Sequence, residues 1–114
     1  MPLPRLRHVL LIALALAGAG CASFQAAQWA ERGSRAIDEG RFVQAITDLE
    51  RAVALAPEAA PLHNHLGVAY LGAGRKAEAR QAFEQAVALD CDHQPAQRNL
   101  RALGPPAGAV ASGP

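Results

Sequence analysis

Two cysteines and four histidines are the side chains with most scope for chemistry in these 114 residues. Cys91 and His93 fall in the run Asp90-Cys91-Asp92-His93, which sets a thiol, an imidazole and two carboxylates side by side. Those are metal-ligand types, but a zinc site needs three or four ligands, and no second cluster with Cys/His spacing completes the set. A nucleophilic thiol needs a base in reach and a third group to orient it, and no second polar cluster supplies them. His63 and His65 stand two residues apart, which on a helix turns their side chains about 200° from one another, so they cannot share an ion. Helix termination and capping account for Asp90 and Asp92. No catalytic residue, metal or cofactor is therefore expected. Cys91 reads either as a small apolar residue at a helix end or, in an oxidising compartment, as a thiol open to an intermolecular disulfide.

The elements that position these residues follow from composition. Hydrophobic residues make up 51%, charged residues 18% and aromatics only 4%. Strands favour the β-branched and aromatic residues that are scarce here, so helices packed through small residues are expected. The length allows no more than one domain. A formal net charge of +1 gives no basic excess for neutralising phosphates, so no nucleic-acid partner is expected.

Arg5, Arg7 and His8 are followed by the uncharged run Val9 to Gly20. A membrane span needs roughly 20 apolar residues, so this shorter run fits a signal-peptide core over residues 1–20. It ends Leu16-Ala17-Gly18-Ala19-Gly20 before Cys21, which resembles the bacterial lipoprotein box, with Gly18 where that family usually has Leu. The resemblance implies that Cys21 is lipidated and becomes the first mature residue. Ala22 stands where Asp would retain a lipoprotein in the inner membrane, so the implied address is the periplasmic face of a bacterial outer membrane. Ordinary secretory cleavage after Ala17-Gly18-Ala19, giving a soluble periplasmic protein, and an uncleaved anchor are the alternatives. Removal of Arg5 and Arg7 leaves nine basic residues against ten acidic ones, a net charge of about −1.

The mature chain repeats itself at a shift of 34 residues: Gly33 with Gly67, Gly40 with Gly74, Ala45 with Ala79, Ala52 with Ala86, Val53 with Val87 and Leu55 with Leu89. Leu49 aligns with Phe83. This period, with Trp29, Leu66, Tyr70 and Pro57 at their offsets, resembles the tetratricopeptide repeat family. The resemblance implies an all-α, helix-turn-helix solenoid: a linker at 21–25, repeats at 26–59 and 60–93, and a capping helix at 94–103. Helices are expected over 24–39, 42–55, 59–72 and 76–89. The Gly/Pro/Ala tail 104–114 is expected to be disordered. Gly33 and Gly67, facing Ala45 and Ala79, let paired helix axes approach to about 8 Å. Gly40 and Gly74 end helices in the left-handed conformation. In the first copy Arg32 stands in place of the family's Leu and Ala36 in place of its Tyr, a more polar first helix being what a solvent-facing terminal repeat predicts, while His63 and Cys91 replace the Trp and Pro of the second. Asp92 is placed to cap the last helix, with Pro95 in its first turn.

In that family the inner groove is lined by the first helix of each repeat and binds peptides. The matching positions are Ala27, Ala30, Glu31, Ser34, Asp38, Asn64, His65, Val68 and Leu71. Asn64 could bond a peptide backbone, and Glu31 and Asp38 would favour a basic segment. The Lys/Arg set that clamps a C-terminal carboxylate in some members is absent. The expected function is a lipid-anchored adaptor for proteins of the cell envelope, such as those of a pilus, secretion or cell-wall machine. Repeats usually need about three copies for stability, so stacking into a homodimer, or a structural homo-oligomer without a peptide ligand, is the competing expectation.

Overall fold

The computed structural model describes residues 3–109, the side chains of 3–6 and 13–19 excepted. It holds five helices: α1 (Leu3–Asp38), α2 (Phe42–Leu55), α3 (Ala60–Gly72), α4 (Lys76–Leu89) and α5 (Gln94–Leu103). There is no strand among the described residues. Each helix packs on the next, and α1 also meets α3, so two antiparallel hairpins stack in tandem and α5 closes the end. The all-α repeat architecture read from the period is the one observed. Pro61 and Pro95 sit in the first turns of α3 and α5, where a missing N–H costs nothing.

The first helix is longer than the sequence pattern suggests. It runs unbroken from Leu3 through the apolar segment and Cys21 into the first repeat. No proline lies between Pro4 and Pro57, and the Ala/Leu-rich run has high intrinsic helix propensity. Among the described residues no helix is long and apolar enough to cross a membrane.

The two hairpin turns share one construction. Gly40 and Gly74 have φ of 70° and 77°, conformations open to a residue without Cβ. Gly40 N–H donates to Ile37 O and Arg41 N–H to Ala36 O; one period on, Gly74 N–H donates to Leu71 O and Arg75 N–H to Tyr70 O. This double bond pattern satisfies the last carbonyls of each first helix and reverses the chain.

Within each hairpin the helices meet at glycine. A Cβ on Gly33 would stand 2.6 Å from Leu49 Cγ, and one on Gly67 would strike the Phe83 ring. Leu49, Phe83, Ala45 and Ala79 are fully buried. Ala36, Ala45, Ile46, Leu49, Leu66 and Ala69 form one core cluster that joins the hairpins, and Ala60, Ala86 and Ala96 a second that seats α5.

The open edge of the first hairpin is polar where the second is apolar. Asp48 is only 1% exposed. Gln44 Nε2 donates to its Oδ1 at 3.1 Å, Arg32 Nε lies 3.7 Å from its Oδ2 and Arg51 Nη1 lies 4.0 Å from Oδ1. The Arg32 and Arg51 guanidinium groups also cover Trp29, 4.7 and 4.5 Å from its ring centre. One period on, Arg32 and Asp48 become Leu66 and Ala82. The polar pair thus replaces an apolar pair as a unit.

At the other end the glycine register is filled by Arg101, 34 residues after Gly67. Helix α5 stops at Leu103, and Gly104 turns the chain with φ 70°. Arg80 Nη2 donates to Gly104 O at 2.5 Å, and Pro105, Pro106 and Ala107 lie beside Lys76, Ala77 and Gln81 of α4. The first part of the tail, expected to be disordered from Gly104, is therefore placed against α4; residues 110–114 lie outside the described ones. Asp92 does not cap α5 as expected. The residue before the helix is His93, without a side-chain cap, because the turn closes one step earlier: Asp90 Oδ1 accepts the Asp92 N–H at 3.1 Å and Asp90 O the His93 N–H.

Two outcomes follow. Gly67→Ala should lower stability by about 1–3 kcal/mol, because a rigid buried ring has to move, whereas Glu84→Ala, at an exposed position of α4, should leave the core unaffected; thermal unfolding compares them. Arg32→Leu alone should cost about 1–3 kcal/mol by weakening the pairing of a buried carboxylate, and adding Asp48→Ala should restore most of it. A double-mutant cycle showing no coupling would contradict that arrangement.

Candidate functional site

The candidate surface is formed by the first helix of each unit. Contact between α1 and α3, and a bond from α5 to α3, bring the three helices into one face. Glu31 and Asp38 are exposed on α1, and Ala30 and Ser34 are half-buried. Glu31 Oε1 accepts from Arg35 Nη2 at 3.3 Å, which offsets part of the negative charge expected at that position. Ala27 and Glu31 share a shallow apolar depression with Phe24, Gln28 and Arg32. On α3, Val68 and His65 are half-buried, and Leu71 is 43% exposed.

Asn64 behaves differently from the expectation. It is 7% exposed, and its Oδ1 accepts from Asn99 Nδ2 at 2.9 Å. The arrival of α5 converts a would-be peptide contact into the bond that aligns α5 on α3. Asn99 lies 35 residues after Asn64, so the period alone does not pair them. Asp48 is the other residue that sequence reasoning passed over. Its signal was present: the shift of 34 changes Arg32 and Asp48 together.

The histidines divide by role. His63 donates its Nε2–H to Pro57 O at 2.7 Å, holding the α2–α3 connection from the position the family gives to Trp. His65 points elsewhere, toward His93. The Nδ1 of His65 and the Nε2 of His93 are buried and have no hydrogen-bond partner, while His93 Nδ1 lies 3.9 Å from Asp90 Oδ2. Burial, then the neighbouring His93, holds the His65 pKa below its ordinary value. Among the described residues no group of three or more His, Cys, Asp and Glu stands together to hold a metal. Tyr70 donates to Glu50 Oε1 at 2.8 Å across the two hairpins; burial and that bond push its pKa up to about 12, so the phenol stays a donor. Cys21 and Cys91 are both exposed thiols.

The His65 environment fixes a sign for pH dependence. The folded state takes up its proton less readily than the unfolded chain, so the contribution is complete above the unfolded value of about 6.5 and is lost as pH falls below it. Between about pH 7.5 and about pH 5, the unfolding midpoint of His65→Gln should fall less than that of the parent chain; equal losses would contradict the account.

A family model for the tetratricopeptide repeat matches residues 36–104, from the end of α1 through α5. A curated relative, the Hsp70-Hsp90 organizing protein of Triticum aestivum, is 39% identical over 62 residues. That stretch covers 54% of this chain and 10% of the wheat protein, so the chain spans about a tenth of the length of that relative. Glycine-limited helix pairs, their left-handed turns and the family match agree: the chain belongs to the tetratricopeptide repeat family, whose members are protein-interaction modules.

Proposed function

We propose that this chain is a lipid-anchored adaptor at the periplasmic face of a bacterial outer membrane, and that it binds a protein of the cell envelope through the α1–α3–α5 face. The observation that carries the binding reading is the exposure of Leu71 beside Val68 and His65 on a face that the fold leaves open. Asp38 and Glu31 border it from α1 and favour a segment with basic character. The name of the wheat relative describes a protein that organises two other proteins; shared repeats support a partner-binding role here, while the chaperones in that name belong to the relative. The lipid reading rests on Cys21 and the small residues before it, and the exposed thiol on α1 is consistent with modification.

Adaptor is favoured over homo-oligomer by the two ends of the stack. A superhelix continued by a second copy needs an apolar edge that accepts another helix. One edge holds Arg32, Trp29, Arg51 and buried Asp48; the other carries Arg101 in the register where Gly33 and Gly67 admit a partner helix.

The test uses the native host. Intact mass of the protein extracted from membranes should fit a chain beginning at lipid-modified Cys21, and a photo-crosslinker at Leu71 should capture a discrete envelope protein that the same group at exposed Glu84 of α4 misses. A mass fitting cleavage near Ala19 would make this a soluble module. Equal capture at both positions would contradict binding through the proposed face.

A further inference from the structure

The segment joining the proposed anchor to the fold is short and helical. Helix α1 is continuous through Cys21, Phe24 and Ala26, and Ala26, 4% exposed, is already packed. Five residues of helix rise only about 7.5 Å, so a lipid on Cys21 would draw the first repeat down to the membrane surface with no flexible spacer. Cys21 and Phe24 are spaced i,i+3 and therefore lie on one helix face. The Phe24 ring is 65% exposed and borders the depression it shares with Ala27 and Gln28. An aromatic ring left in water one turn from an acyl group, on the same side of the helix, has an obvious place among the lipids. Apolar faces of interfacial helices enter the headgroup–acyl boundary in this way.

The rest of that end of the molecule has the opposite character. The helices alternate in direction, so the α2–α3 and α4–α5 connections lie at the Cys21 end, as the Arg51–Trp29 contact confirms. Their exposed residues include Glu58, Asp90 and Asp92, which negatively charged headgroups repel. Residues 21–30 of α1, by contrast, carry no acidic side chain.

We infer that Phe24 is a second membrane contact, seated in the lipid interface beside the acyl group on Cys21 and fixing the tilt of the repeats; this rests on the lipidation reading above. The partner is the bilayer surface. Anchoring energy comes from the lipid, and the ring sets orientation.

Trp29 is the sole tryptophan and lies five residues beyond Phe24, which makes it an internal depth gauge. The lipidated mature protein is placed in phosphatidylcholine vesicles containing lipids spin-labelled at the headgroup. Trp29 fluorescence should be quenched, and Phe24→Ser should roughly halve that quenching while the protein stays vesicle-bound and its unfolding temperature is unchanged. Unchanged quenching in Phe24→Ser, with the lipid confirmed by intact mass, would overturn the inference and leave the anchor standing. A mass without lipid would instead remove the lipidation reading, and this inference with it.

Discussion

The approach of paired helices at Gly33 and Gly67 is the constraint on which the remaining structure depends. Where no Cβ can stand, Leu49 and Phe83 press directly onto the opposing backbone, and the fully buried alanines at 45 and 79 complete the seam. Dispersion and burial reward such contact only when it is close. Once the two hairpins are that thin, Leu66 and Ala69 of α3 reach Ala45, Ile46 and Leu49 of the first hairpin, and the stack follows. A small core of this kind gains little from large side chains and much from accurate register, which suits a chain that is rich in alanine and poor in aromatics.

A short stack has two ends, and both are closed by charge. Asp48 is buried beside Arg32 and Arg51, whose guanidinium groups also contact the Trp29 ring. Arg101 occupies the third glycine register, and the chain beyond α5 turns back over α4 through the Arg80–Gly104 bond. Ionic caps of this sort stabilise modestly, since desolvation offsets much of the attraction. They also leave each end of the stack with charged rather than apolar side chains, which the adaptor proposal takes as unfavourable to a second copy. What remains open is the face of α1, α3 and α5, where Leu71 and Asp38 meet solvent.

Much of this was legible in the sequence because the information is periodic. Identical residues at a shift of 34 gave the helix pairs, the bounds of α2 and α4, and the left-handed turns at Gly40 and Gly74. Features that arise from a contact between unlike positions were not legible. Asn64 and Asn99 are 35 residues apart, one step off the period, and meet only through the packing of α5. Asp90 closes the last turn in place of Asp92 because backbone geometry, not residue type, decides which carboxylate meets the N–H. The unbroken run of α1 through Cys21 reflects the lack of any stop signal there, a property of the whole segment rather than of one residue.

On the proposed adaptor reading, two repeats and one closing helix form a finished, monomeric unit whose open face binds a different protein. Sedimentation equilibrium of the chain from Ala22 onward, over a wide concentration range, tests it most directly. The account predicts a single monomeric mass throughout, with a helical far-ultraviolet signal that does not change on dilution. A mass that climbs with concentration, and helicity lost as the chain is diluted, would show that the ends are not closed and that the fold is completed by a second copy.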